Sequence, residues 1–288
     1  MENLARTVWL VASLLTGIVV VALIGGVPRA ANAAQYCTDA TLLPIVNRPS
    51  DAWSPCVVAD DGVLLESGYY QNASSVGGSA IAEYPDAELR VGFAPDLELV
   101  LDPQTQIARS GNYGKAYFTT SDPGLGLKWQ LADRPNGAYD FGAEVNPPGT
   151  AASFPWQPKY RLGLDSSERI TKRWRTDIGL NLVGDGRIED GRIDDGRTVD
   201  AYARSTPALR STAGLGLAPS DDSLFSLEVS DQSSVARSLR GQAFGHLAWR
   251  QALSRRVLVD VEGGQTFNTS AHTRPHYIGA GLSLGSSR

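Results

Sequence analysis

The amino-acid sequence predicts an all-β chain that forms a transmembrane antiparallel β-barrel of about 12 strands, of the outer-membrane type. Three observations lead to this fold class. From about residue 63 onward, apolar and polar residues alternate in blocks of roughly ten residues, which is the pattern of tilted membrane strands. Between these blocks, short turns alternate with longer polar loops. After the first 33 residues, no stretch is long and apolar enough to span a bilayer as a helix.

Residues 1–33 are expected to be a secretory signal peptide. Arg6 supplies a positive charge, residues 9–27 are apolar or small, and Ala31 and Ala33 provide small residues for cleavage before residue 34. The apolar stretch is long for a signal and near the minimum for a membrane helix, so an uncleaved anchor is the alternative.

The remaining residues, 34–288, suit one large β domain with a negative charge. Removal of Arg6, Arg29 and Glu2 with the leader leaves 24 of the 26 Lys and Arg against 30 of the 31 Asp and Glu. This balance argues against nucleic acid as a partner, because phosphate backbones require a basic surface.

Cys37 and Cys56 are the two cysteines of the chain, and both follow the leader closely. An even pair in an exported protein indicates a disulfide, and no His or third Cys lies nearby to suggest a metal site. Residues 34–62 are therefore predicted to form a disulfide-tied periplasmic segment before the barrel. Their proline content and position make them a hypothetical plug of the barrel lumen.

The barrel region, residues 63–288, divides into twelve predicted strands. They span residues 63–72, 81–93, 97–106, 123–132, 138–146, 159–165, 172–183, 208–218, 224–230, 241–251, 257–263 and 276–284. Short connections follow the second, fourth, sixth, eighth and tenth strands, and longer loops follow the others. An even count with short turns on one side is typical of outer-membrane barrels, whose short turns face the periplasm.

A soluble β-sandwich would show the same alternation along its strands. The uniform strand length favours a membrane barrel, since a tilted membrane strand needs about ten residues. Aromatic residues near predicted strand ends also fit an interfacial girdle. These residues are Tyr69, Phe93, Trp129, Tyr139, Trp174 and Trp249.

The polar faces of the predicted strands would give the lumen a lining of both charge signs. The lining candidates are Glu66, Arg90, Lys128, Glu144, Arg161, Arg173, Arg175, Asp177, Arg210, Glu228, His246, Arg250, Asp260 and Glu262, together with Glu88, Glu98, Asp140 and Asp165. Ion pairs across neighbouring strands would hold the barrel closed. The same charges could also select a small solute, and the two roles are compatible.

Motifs for catalysis are absent from the sequence. It has three histidines, no Gly-x-Ser-x-Gly and no His-Glu-x-x-His, so we expect no enzyme, no cofactor and no metal. Residues 184–197 repeat Asp-Gly-Arg three times. The repeat is short and its arginines cancel the acidic charge, so a solvated outer loop is favoured over a calcium site.

Several segments resemble a family of bacterial outer-membrane β-barrels known as transporters of the MetA pathway of phenol degradation. The resemblance rests on Asn47-Arg48-Pro49, residues 54–58, Glu66-Ser67-Gly68-Tyr69-Tyr70, residues 89–99 and residues 122–128. It extends from about residue 47 over most of the chain. It implies a channel in the outer membrane of a Gram-negative bacterium that admits small, hydrophobic or aromatic organic molecules by passive diffusion.

The expected partners are outer-membrane lipid, a small-molecule solute and, during biogenesis, the barrel insertion machinery. The alternative is a non-transporting surface barrel that displays its extracellular loops. A barrel hydrolase is the third possibility, and the missing catalytic motifs argue against it.

Overall fold

A computed structural model describes residues 36–38, 41–48, 50, 52–73, 80–103, 106–110, 116–120, 123–146, 159–185, 206–234, 242–267 and 276–286. The predicted signal peptide and residues 186–197 of the Asp-Gly-Arg loop lie outside these ranges. Within them, no helix is long and apolar enough to cross a membrane.

Fourteen β-strands and one short 3-10 helix, Tyr36–Thr38, make up the described elements. The strands are β1 (Val63–Ala73), β2 (Ala80–Ala94), β3 (Leu97–Asp102), β4 (Gln106–Ser110), β5 (Ala116–Thr120), β6 (Gly124–Arg134), β7 (Gly137–Asn146), β8 (Lys159–Arg169), β9 (Trp174–Asp185), β10 (Thr206–Ser220), β11 (Ser223–Ser234), β12 (Gln242–Ser254), β13 (Val257–Thr266) and β14 (His276–Gly285).

All strands belong to one antiparallel sheet that closes on itself. From β6 to β14 each strand pairs with the next, β14 pairs with β1, and β1 pairs with β2. The long β2 pairs with β3 through residues 89–94 and with β4 through residues 80–84. Strands β3 and β4 therefore occupy one position in the wall, beside β2. Strands β6 and β5 occupy the next position, where β6 pairs with β3 and β5 pairs with β4. The wall therefore has twelve positions, which confirms the predicted barrel.

The β4–β5 hairpin is a correction to the sequence prediction, which placed most of it in a polar loop and ended strand three at residue 106. Pro103 and Pro123 interrupt the two long wall positions, because proline cannot donate a hydrogen bond to the sheet. Because of these interruptions, the periodicity of the sequence did not identify β4 and β5 as parts of the wall. Strand β8 also runs four residues beyond its predicted end at residue 165.

The two ends of the barrel differ in the length of their connections. Two to four residues join β2 to β3, β6 to β7, β8 to β9, β10 to β11 and β12 to β13, as the sequence predicted. The first residues of β1 pair with the last residues of β14 at this same end. We call it the turn end, and the opposite end the loop end.

Burial alternates along the strands, as expected for a wall with two different faces. In β6, Leu125, Leu127 and Trp129 are 43–46% exposed, whereas Lys128 is 0% exposed. The outer face is an apolar band, and charged residues point inward. This distribution suits lipid outside and polar groups inside.

The buried apolar cluster lies inside the turn end of the barrel. Residues 36–62, which we call the lumen segment, contribute Leu42, Val46 and the Cys37–Cys56 disulfide to this cluster. The disulfide confirms the predicted pairing. The wall contributes residues from the turn-side ends of its strands, namely Leu64, Ala138, Leu224, Ala252 and Leu258. The lumen segment precedes β1 directly, so it enters the barrel from the end at which β1 begins.

Candidate functional site

The most deeply buried charges form one group around Arg90, which we call the Arg90 cluster: Arg90, Glu66, Glu98, Lys128 and Asp140. Arg90 donates to Glu98 through Nε at 2.8 Å and Nη2 at 3.0 Å, and to Glu66 through Nη1 at 3.1 Å. Lys128 Nζ lies 3.6 Å from both Glu98 and Asp140. The five residues come from β1, β2, β3, β6 and β7, so the cluster ties five wall positions together.

The Arg90 cluster also binds the backbone of the lumen segment. Arg90 donates to the carbonyl oxygens of Ile45 at 2.5 Å and Cys56 at 2.8 Å. In return, the Glu66 carboxylate accepts from the amide of Asn47 at 3.0 Å, and Glu98 accepts from the amide of Val58 at 2.6 Å. Buried backbone groups need such partners. The wall therefore supplies partners to these four backbone groups, which regular secondary structure would otherwise supply.

Arg48 carries a positive charge from the lumen segment into an acidic part of the wall. It bonds Asp86 and lies 3.9 Å from Asp260 and from Glu262. Burial alone would lower the pKa of its guanidinium, but the three carboxylates outweigh burial and raise that pKa. A Cβ at Gly281 would come within 2.6 Å of Arg48 Nε. Glycine at this inward position therefore makes room for the arginine.

Trp53 fills the lumen beside β7 and β8. The Arg161 guanidinium carbon lies 3.9 Å from the centre of the Trp53 ring, which is close enough for a cation–π interaction. A side chain at Gly142 would overlap the same ring. The wall therefore accepts the indole through one inward glycine and one stacked arginine.

We predict that Gly142→Leu destabilises the barrel because leucine and the Trp53 ring cannot occupy the same space. Overpacking of a filled interior costs about 1–3 kcal/mol. The measurement is the folded fraction against urea concentration, read from heat-modifiable gel migration in lipid vesicles. Ala143→Leu is the matched control, since Ala143 lies on the outer face. Equal losses in the two variants would contradict the contact between Gly142 and Trp53.

A second polar network lies on the other side of the lumen. Ser50 Oγ donates to Glu228 at 2.7 Å, and His246 Nε2 lies 3.5 Å from the same carboxylate. Ser167 shares a hydrogen bond with the Tyr36 hydroxyl at 2.7 Å and donates to Asp177 at 2.5 Å. The lumen segment thus forms polar contacts on both sides of the barrel.

The structure places the predicted lining residues on the inward face, with one exception. Those that are buried are Glu66, Arg90, Glu98, Lys128, Asp140, Asp165, Asp177, Glu228, His246, Arg250 and Asp260. Those that are partly exposed are Glu88, Glu144, Arg161, Arg175, Arg210 and Glu262. Arg173 is a correction, because it lies exposed in the β8–β9 turn. The prediction began strand seven two residues too early and so counted a turn residue as part of the wall.

Sequence reasoning did not find Arg48, Ser50 and Trp53 as lumen residues. Their segment has no periodicity from which a face could be assigned. The one available signal was glycine on inward positions, such as Gly142, Gly179 and Gly281. Among the described residues, no group of three or more His, Cys, Asp and Glu side chains could hold a metal ion.

Solved outer-membrane proteins share this fold. The outer membrane channel from Pseudomonas putida F1 is similar with a TM-score of 0.57 over 80% of this chain and 97% of that chain, at 9% identity. The NanC porin is similar with a TM-score of 0.50 over 76% of this chain and 98% of that chain, at 8% identity. These likenesses show the barrel fold.

No protein-family model matches the sequence, and no curated protein matches it. The resemblance to the MetA-pathway transporters therefore stays a prediction.

Proposed function

We propose that this protein is a channel of the Gram-negative outer membrane that passes small molecules by diffusion. One observation carries the proposal: the lumen is filled by a separate segment, and the wall leaves room for it. A twelve-stranded barrel is wider than the eight-stranded barrels that side chains alone can fill. Inward glycines at residues 142, 179 and 281 widen the space further. A barrel of this width therefore has room for a path for small molecules when the segment leaves it.

The lumen segment is the proposed plug, and residues 1–33 are the proposed signal peptide. The disulfide joins Cys37 to Cys56 and makes most of the segment one loop. That loop attaches to the wall at its C-terminal end, where residue 62 meets β1. It lies at the turn end, which we place in the periplasm in line with other barrels of this type. Withdrawal towards the periplasm would expose a lumen lined by both charge signs.

The proposed cargo is a small organic molecule. The family resemblance points to hydrophobic or aromatic compounds, and the cation–π contact between Arg161 and the ring of Trp53 supports this proposal. Outer-membrane lipid is the proposed surrounding of the apolar band, and the barrel insertion machinery is the proposed partner in biogenesis.

The proposed function predicts discrete current steps from the intact protein in planar lipid bilayers. We expect brief openings, because the plug must leave the lumen before ions can pass. The measurement is single-channel current at increasing voltage, with swelling of solute-loaded liposomes as a second readout. If neither the intact protein nor a variant without the lumen segment gave current or swelling, the barrel would be a display scaffold for its loops.

A further inference from the structure

A cleft of about 410 Å³ opens at the turn end, between the lumen segment and the wall. Tyr36 and Leu43 line its inner side, and the turn between β8 and β9 lines its outer side. Pockets for small ligands start at about 300 Å³. The cleft shares no residue with the Arg90 cluster, and Tyr36 links it to the second polar network.

Basic side chains dominate the lining of this cleft. Arg169, Lys172, Arg173 and Arg175 face a single acid, Asp221. In the described part of the chain, neither Lys172 nor Arg173 has a carboxylate within ion-pair distance, whereas Arg175 is 3.2 Å from Asp177. This local excess of cations stands out in a chain whose net charge is −5. A concave surface of one sign concentrates ions of the opposite sign.

Charges on turns are usually solvated and free to move, but this turn is held in place. Thr171 Oγ1 accepts from the amides of Arg173 at 3.2 Å and Trp174 at 3.1 Å. The amide of Ile170 donates to the carbonyl of Trp174 at 2.8 Å, and the amide of Ala218 donates to the carbonyl of Arg173 at 2.7 Å. The backbone that carries the two unpaired cations is thus fixed to itself and to β10. Such preorganisation lowers the cost of binding.

We propose that this cleft binds a small organic anion that carries carboxylate or phosphate oxygens. The oxygens would accept hydrogen bonds from the Lys172 ammonium and the Arg173 guanidinium. A guanidinium group binds an oxyanion through two parallel hydrogen bonds. The organic body would lie against Tyr36 and Leu43. A free solute and the headgroup of an anionic lipid share this chemistry. The site needs no open pore, so it stands whether or not the barrel conducts.

Terephthalate, an aromatic dicarboxylate, is a suitable probe for calorimetric titration of the intact protein in uncharged detergent. We expect terephthalate to bind, terephthalamide, its neutral diamide, not to bind, and the variant K172Q/R173Q to bind at least about tenfold more weakly. The matched control is R255Q/R256Q, which removes two exposed charges from the β12–β13 turn, outside the cleft.

A lipid arm distinguishes the two sources of the anion. If terephthalate does not bind but phosphatidylglycerol vesicles bind the protein more tightly than phosphatidylcholine vesicles, and K172Q/R173Q abolishes the difference, the ligand is a lipid headgroup. The proposal is overturned if neither probe binds, if terephthalamide binds as well as terephthalate, or if R255Q/R256Q weakens binding as much as K172Q/R173Q.

Discussion

Removal of residues 36–58 is expected to turn a mostly closed barrel into an open one. The deleted residues form most of the lumen segment, and the polar groups that they contact would then face water. Single-channel conductance in planar bilayers should rise by roughly tenfold or more, since a twelve-stranded wall without its filling encloses a continuous path. The wall should still close, because Arg90 keeps Glu66 and Glu98 as partners and Lys128 keeps Glu98 and Asp140.

A locked variant provides the control for the deletion. A Cβ at Gly179 would lie 3.0 Å from the Cβ of Ala52, so a small shift would bring cysteines at both positions to disulfide distance. The variant Ala52→Cys with Gly179→Cys should conduct less than the intact protein, and reductant should reverse this. The intact protein with reductant corrects for the native disulfide. Unchanged conductance in a deletion variant that still shows heat-modifiable migration would refute the plug.

The wall of the barrel could be predicted from the sequence because its rules are local. Alternation along β6 assigns Leu125 and Leu127 to one face and Lys128 to the other, without knowledge of any distant residue. The five short turns follow from local turn residues in the same way. The β4–β5 hairpin was missed for the same local reason, since Pro103 and Pro123 interrupt the pattern and glycine, serine and asparagine cluster at residues 110–114 between them.

The partners inside the barrel could not be predicted, because they depend on how the closed wall presents its inner face. Tyr36 meets Ser167 across 131 positions of the chain, and Ser50 meets Glu228 across 178. Alternation predicts that Glu228 points inward, but it does not predict which residue Glu228 contacts. The cleft beside the β8–β9 turn could not be predicted either. The sequence analysis assigned Arg173 to a strand, and Arg173 and Tyr36 line one cleft only when the lumen segment is folded inside the barrel.

Arg90→Met is expected to be the most destabilising single substitution in the lumen. Arg90 is 0% exposed, and its partners Glu66 and Glu98 are equally buried. Methionine fills much of the same volume but removes the cation beside Glu66 and the donor to the Ile45 carbonyl. It also removes one of the two cations beside Glu98 and one of the two donors to the Cys56 carbonyl, and Lys128 remains as the other in both cases. Loss of one partner from a buried ion pair costs about 3–5 kcal/mol. The measurement is the free energy of unfolding in urea, from barrels refolded into lipid vesicles.

Two further variants separate the loss of charge pairing from a general effect of removing arginine. Arg255→Met removes an exposed arginine from the β12–β13 turn and should leave stability unchanged. Adding Glu66→Gln to Arg90→Met should restore part of the loss, because the carboxylate that lost its cation becomes neutral, and coupled residues deviate from additivity in this way. If the double variant lost the sum of the two single losses, Arg90 would contribute by packing alone. The charges of Arg90 and Glu66 would then contribute to stability independently of one another.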